Sequence, residues 1–190
     1  MKRTVLLMLL FVSFTCDFYG QNFLVNEYDK FTKKKTVQTY FEKIHSDPAK
    51  MELGQNLWMS FLYIDGTEYV VLKWCCDEPL TIDENASVLF LDSEGHTYEL
   101  KNRDYIMARI GGGSNALYFN EREGVTLWLK GDFKFFRDND IHAMRIYSLT
   151  DKYDFNIKRE TALKLNIAYR AYEVAVRDKN TPYYPYRIAE

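Results

Sequence analysis

The sequence predicts an α+β domain: a mainly antiparallel β-sheet, a twisted sheet or open sandwich, closed by a C-terminal amphipathic helix. Three observations predict it. From residue 36 to residue 157 the chain runs through short segments rich in Val, Thr, Tyr, Phe and Leu, separated by Gly, Asp, Asn, Ser and Pro. Two of these segments are joined by Asp65-Gly66, a dipeptide that suits a type I′ hairpin because both residues tolerate positive φ. From Arg159 the apolar spacing changes from alternation to a helical period. Strands first and a helix last is an α+β order.

Residues 1–20 read as a cleavable secretory signal. Lys2-Arg3 makes a basic start, residues 5–14 are apolar, and Thr15-Cys16-Asp17 makes a polar exit. The apolar run is too short for a membrane span, which needs roughly 20 such residues. A peptidase needs a small residue before the cut, which places cleavage between Gly20 and Gln21. The competing reading is lipidation at Cys16. A lipobox wants an aliphatic residue three before the cysteine and a small one directly before it, and here those positions hold Ser13 and Thr15. The expected localisation is therefore exported, periplasmic or secreted, with membrane association only if Cys16 is acylated.

Residues 21–35 form a polar lead-in ending in Lys33-Lys34-Lys35, residues 36–177 form the single β-rich domain, and residues 178–190 form a Pro/Tyr-rich tail. Hydrophobic residues make up 47% of the chain and aromatics 16%, which is enough for a core and argues against disorder. A net charge of −2 gives a nucleic-acid role no electrostatic support. No second segment is apolar for long enough to span a bilayer. Cys75 and Cys76 are neighbours, so in a strand they point to opposite faces and pack as separate thiols; a vicinal disulfide would be strained.

Within the domain, residues 36–44 read as a strand ended by Ser46-Asp47-Pro48. Residues 57–64 and 67–75 form the Asp65-Gly66 hairpin, apolar on both faces and so expected in a central, covered position. Residues 86–91 and 96–100 form a second hairpin around Asp92-Ser93-Glu94-Gly95. Residues 106–110 read as a short strand, followed by a joint at Gly111-Gly112-Gly113-Ser114. Residues 117–119 and 125–129 are further strands, and Asp132 caps a helical turn through Phe136. Residues 141–148 and 153–157 make a third hairpin. The helix from Arg159 carries Leu163, Ile167, Ala171 and Val174 on one face, with Ala168, Tyr172 and Ala175 alongside. That face is expected across the sheet.

The segment Tyr28-Asp29-Lys30-Phe31-Thr32-Lys33-Lys34-Lys35-Thr36-Val37 resembles the opening of a largely uncharacterised family of small exported proteins of Bacteroidetes-type bacteria. Met144-Arg145-Ile146-Tyr147-Ser148, followed by Tyr153-Asp154-Phe155-Asn156-Ile157-Lys158, is similar to that family's closing hairpin and helix start. The resemblance spans nearly the whole mature chain and implies an exported bacterial protein. It brings no catalytic residues, and Cys75-Cys76 departs from its pattern.

Candidate chemistry is sparse. His45, His96 and His142 are far apart in sequence, so a metal site would need two of them to converge with Asp47 or Asp140. Asp138-Asn139-Asp140 and Asp92-Ser93-Glu94-Gly95 are fragments of a calcium loop and read more simply as turns. The glycine run lacks the Lys-Ser/Thr of a phosphate loop. No Gly-x-Ser-x-Gly elbow is present; a thiol nucleophile would need Cys75 or Cys76 to meet a histidine from elsewhere in the chain, for instance His96. Lys33-Lys34-Lys35 could touch anionic headgroups, but a solvated run is simpler.

Trp58, Trp74 and Trp128 could build a stacking platform for a sugar or peptide, although strand aromatics usually belong to the core. Tyr183, Tyr184 and Tyr186 in the tail form a candidate interaction segment. The expectation is a non-catalytic module that binds a protein or small ligand. It has no assigned catalytic residue, metal or cofactor. Such a module predicts no deep cleft lined with paired titratable groups. The alternatives are a periplasmic hydrolase-type enzyme and a structural envelope lipoprotein.

Overall fold

The computed structural model describes residues 23–46, 56–76, 79–110 and 123–178. The strands are β1 (Phe23–Tyr28), β2 (Lys35–Thr39), β3 (Glu42–His45), β4 (Asn56–Ile64), β5 (Thr67–Cys75), β6 (Thr81–Ile82), β7 (Ser87–Asp92), β8 (Thr97–Asn102), β9 (Ile106–Met107), β10 (Arg109–Ile110), β11 (Glu123–Lys130), β12 (Ile141–Tyr147) and β13 (Lys152–Asn156). A 3₁₀ turn covers Lys134–Arg137, and the helix α1 spans Arg159–Arg177. The main sheet is antiparallel and open, in the order β1-β2-β4-β5-β11-β8-β7-β12-β13. The α+β class read from the sequence is the class observed.

Asp65 and Gly66 have φ of 46° and 92°, the two positive values a type I′ turn requires, and they join β4 to β5 in an unbroken ladder from Ile64↔Thr67 to Asn56↔Cys75. The strand expected over residues 36–44 is two strands on the same edge of β4. Between Gln38↔Leu62 and Glu42↔Met59 the β2–β3 side advances four residues while β4 advances three. One extra residue makes a bulge at Tyr40-Phe41. The segment over 106–110 also divides: β9 pairs with β6, and β10 pairs with β11. Part of the lead-in read as polar, residues 23–28, adds β1 to the sheet edge; its sequence is largely apolar, and Phe23 packs against the core.

Between β11 and β8 only Leu129↔Asn102 and Lys130↔Lys101 are paired, so the sheet turns there and its two halves face each other. Leu57, Met59, Phe61, Val70, Leu72 and Trp74 from one half are almost completely buried. They meet Val88, Phe90, Met144, Ile146 and Phe155 from the other half in one cluster. Trp74 packs edge-on against Tyr153 and Phe155, and Phe61 packs against Phe133, Phe136, Tyr169 and Tyr172. The 3₁₀ turn and α1 fill the open side. Asp132 Oδ1 accepts a hydrogen bond from Lys134 N at 3.1 Å and so supports the turn, but it is not the expected cap: Phe133 holds that position and the turn begins at Lys134.

The helix is rotated from its expected setting. Leu163, Ile167 and Val174 are 47%, 58% and 55% exposed, whereas Ala162, Leu165, Ala168, Tyr169, Ala171, Tyr172 and Ala175 are buried. Apolar residues lie on more than one side of α1, so periodicity alone left the choice of face open. Tyr169 and Tyr172 decide it: two large rings bury more area against the phenylalanine cluster than Leu163 and Val174 would. Lys35 holds the far end. Its ammonium donates to the backbone oxygens of Ala175 and Asp178, neutralising the negative pole of the helix.

Gly131, just after β11, has φ of +143°, and an added Cβ would lie 2.7 Å from Leu100 Cδ2 in the core. Gly131→Ala is expected to destabilise the domain by about 1–3 kcal/mol. Urea unfolding measures this, and an unchanged midpoint would show that neither the positive φ nor the close approach to Leu100 constrains this position.

Candidate binding surface

Alternation in a strand gives every buried inner position an outer neighbour. On β4, β5 and β11 the inner set is the core just described. Register puts Trp58, Ser60 and Leu62 of β4 on the outer face. They share it with Tyr69, Val71 and Lys73 of β5 and with Thr126 and Trp128 of β11. The helix lies on the opposite side. Trp58, Tyr69, Lys73, Thr126 and Trp128 are half-buried, while Ser60, Leu62 and Val71 beneath them are buried. The hairpin is therefore central but is not equally covered on both faces.

Each half-buried aromatic on this face carries a cation. Lys43 Nζ lies 5.7 Å from the Trp58 ring, and Lys73 Nζ lies 4.4 Å from the ring of Phe41, which the β2–β3 bulge has brought to this side. The Arg103 guanidinium lies 4.5 Å from the Trp128 ring and 5.4 Å from Tyr69. Tyr69 and Trp128 themselves meet edge to face at 5.3 Å. Arg103 also pairs with Asp104 at 2.5 Å. Lys43 and Lys73 have no carboxylate partner among the described residues. Burial pushes the Lys73 amine below its ordinary pKa.

A second feature is a cleft of about 450 Å³ between the start of β5, residues 131–134 and the C-terminal half of α1. Tyr172 OH donates to Glu68 at 3.0 Å and lies 3.4 Å from Leu62 O. Glu173 accepts from Arg137 and, at 2.8 Å, from Arg177. Paired titratable groups therefore do line a cleft, which counts against the binding-module expectation that none would be found. Their chemistry is restrained. Burial, reinforced by Glu68, pushes both Tyr172 and Tyr169 above the ordinary phenol range, so both stay protonated and neither is a base at neutral pH. Among the described residues no thiol, imidazole or aliphatic hydroxyl lines the cleft.

The remaining sequence candidates fall into structural roles. Asp92 is 2% exposed and accepts from Glu94 N and His96 N, each at 2.9 Å, and from Tyr98 OH at 2.8 Å. The His96 ring reaches it at 3.2 Å and the Asn139 amide at 3.3 Å. Burial opposes its charge, but these donors prevail and hold the carboxyl at about 2. Both calcium-loop fragments thus belong to one turn-locking network, extended by Ser93 N donating to Asp140 O. His45 lies edge-on to Phe155 with Nδ1 3.3 Å from Asn156 O, and His142 is exposed on β12. Among the described residues no group of three or more His, Cys, Asp or Glu is placed to hold a metal.

Cys75 and Cys76 are buried and no disulfide joins them, while the His96 ring sits at Asp92. Lys34 pairs with Asp65 at 2.9 Å. Cys16, Asp47, residues 111–114, and Tyr183, Tyr184 and Tyr186 lie outside the described residues. Strand parity is the sequence signal that bears on the outer face, but it separates Trp58 and Trp128 from Trp74 only through the register of β4, β5 and β11. No family model matches this sequence, and no significant match joins it to a curated protein or a solved structure. No helix among the described residues is long and apolar enough to cross a membrane.

Proposed function

We propose that the chain is an exported, non-catalytic binding module whose recognition surface is the outer face of β4, β5 and β11. The carrying observation is the contrast between the two faces of one sheet. Inside, rings are sealed against other rings. Outside, Phe41, Trp58, Tyr69 and Trp128 are left half-buried under Lys43, Lys73 and Arg103. Flat, partly solvated aromatics offer stacking area at little cost in conformational entropy. Export rests on the residues 1–20 signal. The mature protein is expected to begin at Gln21, and its mass would show an acylated Cys16 instead if the lipoprotein alternative held.

The test is retention of the secreted chain on a panel of immobilised carbohydrates and peptides. A ligand held by the parent and released by Trp128→Ala, with the far-UV spectrum unchanged, supports the reading. A ligand whose retention ignores Trp128→Ala and Tyr69→Ala moves recognition elsewhere. The Glu68–Tyr172 cleft motivates the second reading, a periplasmic hydrolase-type enzyme; turnover of a panel member, lost in Glu68→Gln, would favour it.

A further inference from the structure

We infer that this outer face takes an acidic polysaccharide, with sugar rings stacked on the aromatics and carboxylates paired to Lys43 and Lys73. The inference rests on the binding-surface reading and adds the chemical class of the ligand. It stands first on charge. The chain as a whole carries −2, yet the outward positions of β4, β5 and β11 include no acidic residue. They include Lys73 and Lys130, and the bulged edge adds Lys43. Arg109, opposite Gly124 on β10, is exposed on the same side.

It stands second on an unbalanced cation. Lys73 is half-buried in the centre of the face, on β5 between β4 and β11, with an aromatic ring but no anion beside it among the described residues. A partly desolvated ammonium without a counter-charge is unfavourable, and an incoming carboxylate would relieve this. The lowered pKa of its amine agrees with that geometry.

The backbone argues for a glycan over a peptide. β4 is hydrogen-bonded to β2 and β3 on one side and to β5 on the other, and β5 is enclosed by β4 and β11. At β4 and β5 the face therefore offers rings and ammonium groups but no free main-chain ladder for an added strand. A nucleic acid would need a longer basic track than an acidic chain supplies.

Affinity electrophoresis in gels containing polygalacturonate, with a neutral linear β-glucan and single-stranded DNA in parallel gels, tests this. The expected result is retardation by polygalacturonate only. Lys73→Gln and Lys43→Gln should each weaken it about tenfold. Raised salt should weaken it further. Retardation by the β-glucan instead, lost in Trp128→Ala but not in Lys73→Gln, would overturn the acidic-ligand inference and leave the surface reading standing. Polygalacturonate binding that ignores Lys73→Gln, Lys43→Gln and Trp128→Ala would overturn both. Preference for DNA, or no retardation in any gel, would overturn the inference.

Discussion

Replacing Phe61 with alanine is expected to lower the free energy of unfolding by about 3–5 kcal/mol, the range for deleting a fully buried phenylalanine ring. Phe61 is completely buried on the inner face of β4. Its ring touches Phe133 and Phe136 beside the 3₁₀ turn and Tyr169 and Tyr172 of α1, at centroid distances of 5.2–6.2 Å. Those four rings belong to the two elements that close the open side of the sheet. Loss of Phe61 therefore leaves a cavity at the joint where sheet, turn and helix meet, and the four rings cannot all move to fill it. Urea denaturation followed by circular dichroism gives the number. A loss below about 1 kcal/mol would mean that α1 is not anchored through this cluster.

Asp92→Asn is expected to lower the melting temperature by several degrees at neutral pH, with a gap that depends on pH. The carboxylate gathers donors from Glu94, His96, Tyr98 and Asn139. The amide that replaces it has no charge and only one acceptor oxygen. The sign follows from the shift. A carboxyl held at about 2 when folded, against an ordinary 3.8, contributes stability that is complete above about pH 4 and is lost as pH falls towards 2. The gap between parent and Asp92→Asn should therefore narrow across that window. Melting curves between pH 2 and pH 7 measure it, and a gap constant with pH would show that shape rather than charge holds the turn.

Much of the fold was legible in the residues because local chemistry specified it. Asp65-Gly66 required a type I′ turn, the runs at residues 92–95 and Thr150-Asp151 required reversals, and Arg159 onward had a helical period. Where two local solutions were nearly equal, tertiary contacts chose. Periodicity placed Leu163, Ile167 and Val174 inward with Tyr172 alongside, but the ring cluster around Phe61 turned Tyr169 in beside Tyr172 and left those three outside. The bulge at Tyr40-Phe41 has no turn residue to announce it, since register with β4 creates it.

The candidate surface was only half legible. Three tryptophans stood out in the sequence, but alternation alone could not say which face the core would take. Once Trp74 packs against Tyr153 and Phe155, parity sends Trp58 and Trp128 outward. The cations over them come from separate strands and a loop: Lys43 on β3, Lys73 on β5 and Arg103 after β8. No sequence spacing joins those positions, so only the assembled sheet displays them together. The same holds for Lys35, which looked like part of a solvated lysine run and instead closes the end of α1.

The most direct measurement is the indole N–H spectrum of the three tryptophans of ¹⁵N-labelled protein during titration with polygalacturonate. Recognition by the outer face predicts that the Trp58 and Trp128 signals move with ligand while Trp74, sealed in the core, stays in place. Binding that leaves Trp58 and Trp128 unmoved, or that moves Trp74 as much as they move, would contradict it.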